Sequence, residues 1–418
     1  MNLLHLQETL REIGRLKHIQ LFGREPRQRA ILEPLMKSLG VEGIKVDELS
    51  TALGVKNGRV LAVRWDITTG QVGFKQPVMA ALLLFHLWRK RCSVDDVTTI
   101  VDGGNVNTSL ALGYLAQRLG LRAEHVLSRH FPEDIRAYMM DQCDGCLQLI
   151  EAPPSGLGRE REFYAYLFEL MQGPRRRRSH LCLWHAKYSA LTTLWMGEAF
   201  ADTWDLMPDD IVLGLGSGST LGGYAVPLKV RFNFRPRIVV AEHAQSALLR
   251  NRPLVADLSS RGTCENGARH YRRAPASVPH MVLGPHYDEV NPLLPSGTVG
   301  QIDGVVRYSD NTWQEASQQC IAAGIRVGNS SAANLAVAKS LAQTGRTVFT
   351  FIYEPLRDFY LSTGNSGYAL VDSRQESGCE NKPRCSGNRV QGEGGGRTAT
   401  SGGSNGTGRS VSHACVLS

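Results

Sequence analysis

Between about residues 45 and 365, short apolar runs alternate with stretches whose apolar residues recur at helical spacing, and this alternation constrains the fold more than any other feature. Segments 59–64, 97–101, 146–151, 211–215 and 237–242 read as strands. Segments 77–91, 108–119, 133–142, 187–204, 313–323 and 331–344 carry apolar i, i+3, i+4 faces and read as helices. Strand and helix in repetition require mostly parallel, twisted sheets covered by helices on both faces, an α/β architecture. Ligands in such folds sit at the carboxyl ends of strands, often on helix N-termini, so the turns that follow the strands are where chemistry is expected.

Other features bound the function. A chain of 418 residues has the length of two or three domains. The longest apolar stretch, 77–88, falls well short of the roughly 20 residues needed to span a bilayer. Basic residues number 47 against 39 acidic, a net +8 spread diffusely along the chain, and no nucleic-acid partner is expected. Nine cysteines with no charged-then-apolar leader point to reduced thiols and a cytoplasmic protein. Cys143 and Cys146 are too far in sequence from His180 and His185 for zinc-finger spacing, so no metal is expected. The arginine run 175–178 reads as a solvated loop.

The ends of the chain differ from its body. Leu3, Leu6, Leu10, Ile13, Leu16 and Ile19 lie on one face of an amphipathic helix suited to pack on the body or on a second subunit. Residues 366–418, rich in Gly and Ser, cannot bury enough apolar surface to offset their ordering entropy, and a disordered tail is expected. Its last residues, Cys415, Val416, Leu417 and Ser418, fit a prenylation box, so membrane contact is expected only if Cys415 is lipidated.

Four turns carry candidate chemistry. Gly70-Gln71-Val72-Gly73-Phe74-Lys75-Gln76-Pro77 places a lysine just before a helix that Pro77 is suited to open. Such a lysine, buried, has a lowered pKa and attacks aldehydes. Asp102-Gly103-Gly104-Asn105-Val106-Asn107 follows a strand and opens a helix. Leu213-Gly214-Leu215-Gly216-Ser217-Gly218-Ser219-Thr220 has alternating glycines that clear side chains from an anion, and hydroxyls that join the amides in holding it. Gly328-Asn329-Ser330-Ser331 leads into a further helix, where serine is an ordinary N-cap.

In this order the four turns resemble those of the fold-type II pyridoxal phosphate enzymes, with the greatest likeness to the cysteine synthase and cystathionine β-synthase branch. The likeness spans roughly residues 45–363 and includes Tyr360-Leu361-Ser362-Thr363 near its end. It implies that Lys75 forms an imine with pyridoxal 5'-phosphate and shuttles the α-proton, and that Asn105 bonds the ring hydroxyl. It also implies that Gly216, Ser217, Gly218, Ser219 and Thr220 hold the phosphate and that Ser330 faces the pyridine nitrogen. A neutral hydroxyl there makes the ring a weaker electron sink than a carboxylate would, which favours β-replacement or β-elimination over full carbanion chemistry.

The resemblance further implies a homodimer of two-domain protomers. The expected division is an N-terminal helical extension at 1–44, a smaller lysine-bearing domain at 45–190, a larger phosphate-binding domain at 191–365 and the tail. The function it implies is β-replacement on a serine- or cysteine-type amino acid, in biosynthesis of cysteine or of a non-protein amino acid. Elimination by a dehydratase or desulfhydrase, or a catalytically impaired cofactor-binding interaction protein, are the alternatives.

The chain departs from the family where the substrate's carboxylate should be gripped. The family's Thr-Ser-Gly-Asn-Thr is replaced at Asp102, Gly103, Gly104, Asn105 and Val106, which loses three hydroxyls and adds a negative charge. At ~4 Å and an effective dielectric of ~20, like charges repel by about 4 kcal/mol, enough to disfavour an ordinary substrate carboxylate facing Asp102. Either Asp102 points away or meets a cation on an unusual substrate, or the site has lost catalysis.

Overall fold

The computed structural model describes residue 30 and residues 44–68, 72–127, 133–152, 160–172, 179–244, 248–249, 251–259, 290–291, 294 and 297–354. The N-terminal amphipathic stretch, Gly70, Gln71, the arginine run, segment 360–363, the tail and Cys415 lie outside the described residues.

The chain runs β1 (Val46–Glu48), β2 (Arg59–Arg64), α1 (Lys75–Lys90), β3 (Thr99–Gly103), α2 (Val106–Leu119), β4 (Arg122–Leu127), α3 (Glu133–Gln142) and β5 (Leu147–Glu151). It continues through α4 (Glu160–Gln172), β6 (His180–Cys182), α5 (His185–Thr203), β7 (Asp210–Gly214), α6 (Val226–Arg231) and β8 (Arg237–His243). After β9 (Leu254–Asp257) and β10 (Gly304–Tyr308) come α7 (Asp310–Ala322), α8 (Asn329–Ala342) and β11 (Thr347–Ile352). The five strands expected from sequence are present with ends shifted by no more than about two residues, and β1, β4, β6, β9, β10 and β11 are additional.

These strands form two sheets. Seven lie in the order β1-β2-β11-β7-β8-β10-β9 and four in the order β5-β4-β3-β6. Every pairing is parallel except that of β1 with β2. β1 and β2, which sequence reading grouped with the lysine-bearing unit, therefore belong to the larger sheet: β2 pairs with β11 from Arg59 opposite Thr347 to Arg64 opposite Ile352.

The strand alternation sorts the core. Val60, Ala62, Val212, Val239, Val348 and Ile352 pack on one face of the larger sheet against Ala332, Leu335, Ala338 and Leu341 of α8 and Trp313 and Cys320 of α7. Their alternates Leu61, Val63, Ile211, Leu213, Val240, Phe349 and Phe351 face the other way. There they join Leu82 and Phe85 of α1, Leu110 of α2, Met196 and Phe200 of α5, and Ile100 and Ala123 of the smaller sheet in one continuous core. Burial on both faces is why these strands read as unbroken apolar runs.

An aromatic cluster closes this core beside the helix that begins at Lys75. Trp65 stacks on Phe74 at 4.0 Å between ring centroids and on Phe351 at 5.1 Å, and meets Tyr224 edge-on at 4.8 Å. Trp65 is fully buried. Trp65→Ala should therefore destabilise the fold by about 3–5 kcal/mol, measured by denaturant unfolding.

Candidate active site

The four turns converge at the carboxyl ends of parallel strands. Asn105 and Asn107 follow β3, His185 follows β6, Gly214 ends β7 and Gly216 to Thr220 follow it, and Tyr353 and Glu354 follow β11. With Val72, Phe74, Lys75 and Ser330 they line one cleft holding about 670 Å³ of empty space, part of it open to solvent.

Lys75 is the first residue of α1. Gly73 just before it has φ +69°, and a Cβ there would collide with the Tyr353 carbonyl oxygen, to which the Phe74 N–H donates at 3.2 Å. The lysine ammonium points into the cleft and donates to Ser217 Oγ at 3.4 Å. Burial lowers its pKa from the ordinary lysine value to about 8, against the opposing pull of Asp102 and Glu354. An amine of that pKa is neutral in a useful fraction of molecules near neutral pH, as a nucleophile toward an aldehyde requires.

Opposite Lys75, Gly218 has φ +80°, and a Cβ there would collide with Leu294. The Gly216, Ser217 and Gly218 amides donate to no backbone carbonyl among the described residues, which leaves them as anion donors. The turn is pinned from outside: Asn291 Nδ2 donates to the Ser217 carbonyl at 3.1 Å and to Ala186 O at 2.8 Å, and Thr193 Oγ1 donates to Ser219 O at 3.0 Å. The Tyr353 hydroxyl is enclosed near Thr220 and Asn334 without a hydrogen bond of good geometry, so it is a further orphan polar group at this end of the cleft. Donors, hydroxyls and an orphan phenol at one end and a buried amine beside them suit a molecule bearing both a phosphate and an aldehyde.

Asn105 caps α2: its Oδ1 accepts from the Thr108 N–H and from Thr108 Oγ1, both at 3.3 Å. The side chain's remaining capacity is its amide N–H groups. Asn107, not singled out from sequence, lines the cleft with Oδ1 buried and unbonded. Ser330 Oγ donates to Glu354 Oε1 at 2.9 Å, and Glu354 is itself buried. A carboxylate that the sequence did not single out thus stands directly behind the Ser330 hydroxyl.

The four residues expected to grip substrate do not line the cleft. Val106 is buried in the core. Gly103 gives its N–H to Asp102 Oδ1 at 2.8 Å, and Gly104 passes so near His185 that a Cβ would lie 3.0 Å from the imidazole Cε1. Asp102 is fully enclosed and turned onto His185, accepting from the His185 backbone N–H at 3.1 Å through Oδ2 and lying 3.1 Å from His185 Nδ1 through Oδ1. Burial by itself would raise the Asp102 carboxyl, but His185 and the bonded amides outweigh it and hold the group below its usual value. Of the two sequence alternatives for an active site, a carboxylate turned away from the cleft is the one observed.

Cys146, His180 and His185 serve contacts other than metal ligation. Cys146 Sγ lies 2.9 Å from Cys143 O, and His180 lies 3.9 Å from Glu124. Among the described residues no group of three or more His, Cys, Asp or Glu could hold a metal, and no helix is long and apolar enough to cross a membrane.

Two outcomes test this geometry. Selective observation of lysine side chains by NMR should show an amine titrating near pH 8 that is absent in Lys75→Met. Gly73→Ala, forced into a left-handed backbone against a carbonyl, should cost at least about 1–3 kcal/mol in stability and shift that titration.

Residues 42–351 match the family described as pyridoxal-phosphate dependent enzyme. No curated protein sequence matches the chain. The fold is similar to an O-ureido-L-serine synthase, with TM-score 0.59 and 20% identity over 79% of this chain and 93% of that one. It is similar also to an O-acetylserine dependent cystathionine β-synthase from Helicobacter pylori, with TM-score 0.60 and 19% identity over 78% and 96% of the two chains. An O-acetylserine sulfhydrylase isoform 3 from Entamoeba histolytica gives TM-score 0.59 and 17% identity over 82% and 93%.

Proposed function

The chain belongs to the pyridoxal-phosphate dependent enzymes, and from that premise we propose that it performs β-replacement on a serine-type amino acid, acting as a homodimer. The observation that carries this reading is the buried, pKa-lowered Lys75 amine facing Ser217 of a glycine-rich turn with free amides. The three similar structures are named for serine derivatives, O-ureido-L-serine in one and O-acetylserine in two, which supports a substrate of that type.

When bound, pyridoxal phosphate supplies an electron-withdrawing system joined to the substrate's amino group, which weakens bonds at the α-carbon. The chain's residues do the rest. Gly216, Ser217, Gly218, Ser219 and Thr220 would hold the phosphate through amides and hydroxyls, and Asn105 would offer its amide N–H to the ring hydroxyl. Ser330 would face the pyridine nitrogen, with Glu354 fixing the direction of its hydroxyl.

Lys75 would be the point of covalent attachment and would take the α-proton on Nζ and return it. A pKa of about 8 lets one amine do both near neutral pH, because neither protonation state is costly there. Asp102, occupied by His185, places no charge against the substrate carboxylate, which supports a working site over a cofactor-binding protein that has lost catalysis.

Reconstitution with pyridoxal phosphate should give a visible imine band that Lys75→Ala abolishes, with turnover falling about 10³-fold or more. O-Acetylserine should shift that band, and an added nucleophile should give a β-substituted amino acid. Pyruvate and ammonia as the only products would assign elimination instead. A band that no amino acid shifts would leave a binding protein.

A further inference from the structure

We infer that His185, oriented by Asp102, is a second proton-transfer group of this site: the general base that deprotonates a neutral nucleophile as it adds to the substrate's β-carbon. This rests on the β-replacement reading above and adds to it the class of the second substrate, an uncharged thiol, amine or related X–H compound.

Asp102 lies at the carboxyl end of β3 and His185 opens α5, next to the end of β6, which pairs with β3. The enclosed carboxylate accepts the Gly103 and His185 backbone N–H groups and sits 3.1 Å from His185 Nδ1. A carboxylate held by two amide donors can only accept, so Nδ1 carries the proton. The lone pair is thereby placed on Nε2, which makes no hydrogen bond among the described residues, while the ring lines the cleft together with Lys75 and Asn107. The close pass of Gly104 under Cε1 fixes the ring's tilt.

The other ionisable groups facing this imidazole favour its neutral form. Burial is the largest influence and outweighs Asp102, and Lys75 adds to it, so His185 sits below the ordinary histidine value. His125 of β4, also near Asp102, is pushed down to about 4 by burial and stays uncharged. The base is then free to accept at neutral pH. Lys75 serves the α-carbon, and a separate acceptor allows the nucleophile's proton to be removed without drawing on the lysine.

The step balances without an oxidant or reductant. After β-elimination from the amino acid, the nucleophile's X–H bond breaks, its proton passes to His185 Nε2 and its electron pair forms the X–Cβ bond. The pair of the Cα=Cβ bond takes at Cα the proton that Lys75 returns, and His185 releases its proton to solvent.

The test compares nucleophiles that need a base with one that does not, on the holoenzyme with O-acetylserine. For His185→Gln, the rate of β-product formation with 2-mercaptoethanol or hydroxylamine should fall about a hundredfold or more, and with azide, already ionised, by tenfold or less. Equal losses with all three overturn the inference, as does a wild type that forms product with azide and neither neutral probe, or with none of them. Nitrogen-15 NMR of the wild-type imidazoles reports independently of any variant: His185 should be protonated at Nδ1 and bare at Nε2, and Asp102→Asn should shift that pattern. An Nε2–H tautomer in the resting enzyme overturns it. A cofactor band that O-acetylserine fails to shift removes instead the β-replacement reading, and this inference with it.

Discussion

The docking of segment 72–75 onto the end of β11 is the contact on which the rest of the cleft depends. It needs a residue without a Cβ at position 73 and a left-handed backbone there, and it uses the Tyr353 carbonyl as the acceptor for Phe74. Because β11 lies between β2 and β7 in the larger sheet, this single approach anchors α1 beside the turn that follows β7. The stack of Trp65 on Phe74 and Phe351 fills the space beneath it. Lys75 is then held where its amine meets Ser217, with apolar packing enough to strip it of water.

That loss of water sets the electrostatics. Isolated charges in such a place would be costly, and the structure offsets the cost unevenly. Asp102 is compensated by two backbone donors and an imidazole, and stays below its usual value. Lys75 has one long contact to a hydroxyl and only distant carboxylates, so its amine is driven toward neutrality. A fully paired acid next to an under-compensated amine is a poor arrangement for stability and a suitable one for proton transfer.

Much of the framework was legible in the sequence because it follows from local periodicity. The strands buried on both faces appear as apolar runs, and the parallel sheets follow from their alternation with helices. The helices α1, α2, α5, α7 and α8 nevertheless begin two or three residues earlier than the apolar pattern indicates. Their first turns carry Lys75, Val106, His185, Asp310 and Asn329, and in four of the five these are polar residues invisible to a hydrophobic count. β11 is not among the strands that the apolar runs indicate, and Tyr353 and Glu354 reach the cleft only because they follow it, so no local pattern points to them.

Turn chemistry and its order along the chain were thus determined by the sequence itself: glycines and small polar residues placed after strands and before helices direct amides and hydroxyls toward a common edge. Which way each side chain turned was decided by the tertiary structure. Asp102 and His185 are far apart in the chain, as are Ser330 and Glu354, and no local pattern links them. The first pair forms where the parallel strands β3 and β6 bring their carboxyl ends together and the second where the start of α8 meets the end of β11, and the low dielectric of that enclosure, which exists only in the folded molecule, determines where the protons reside.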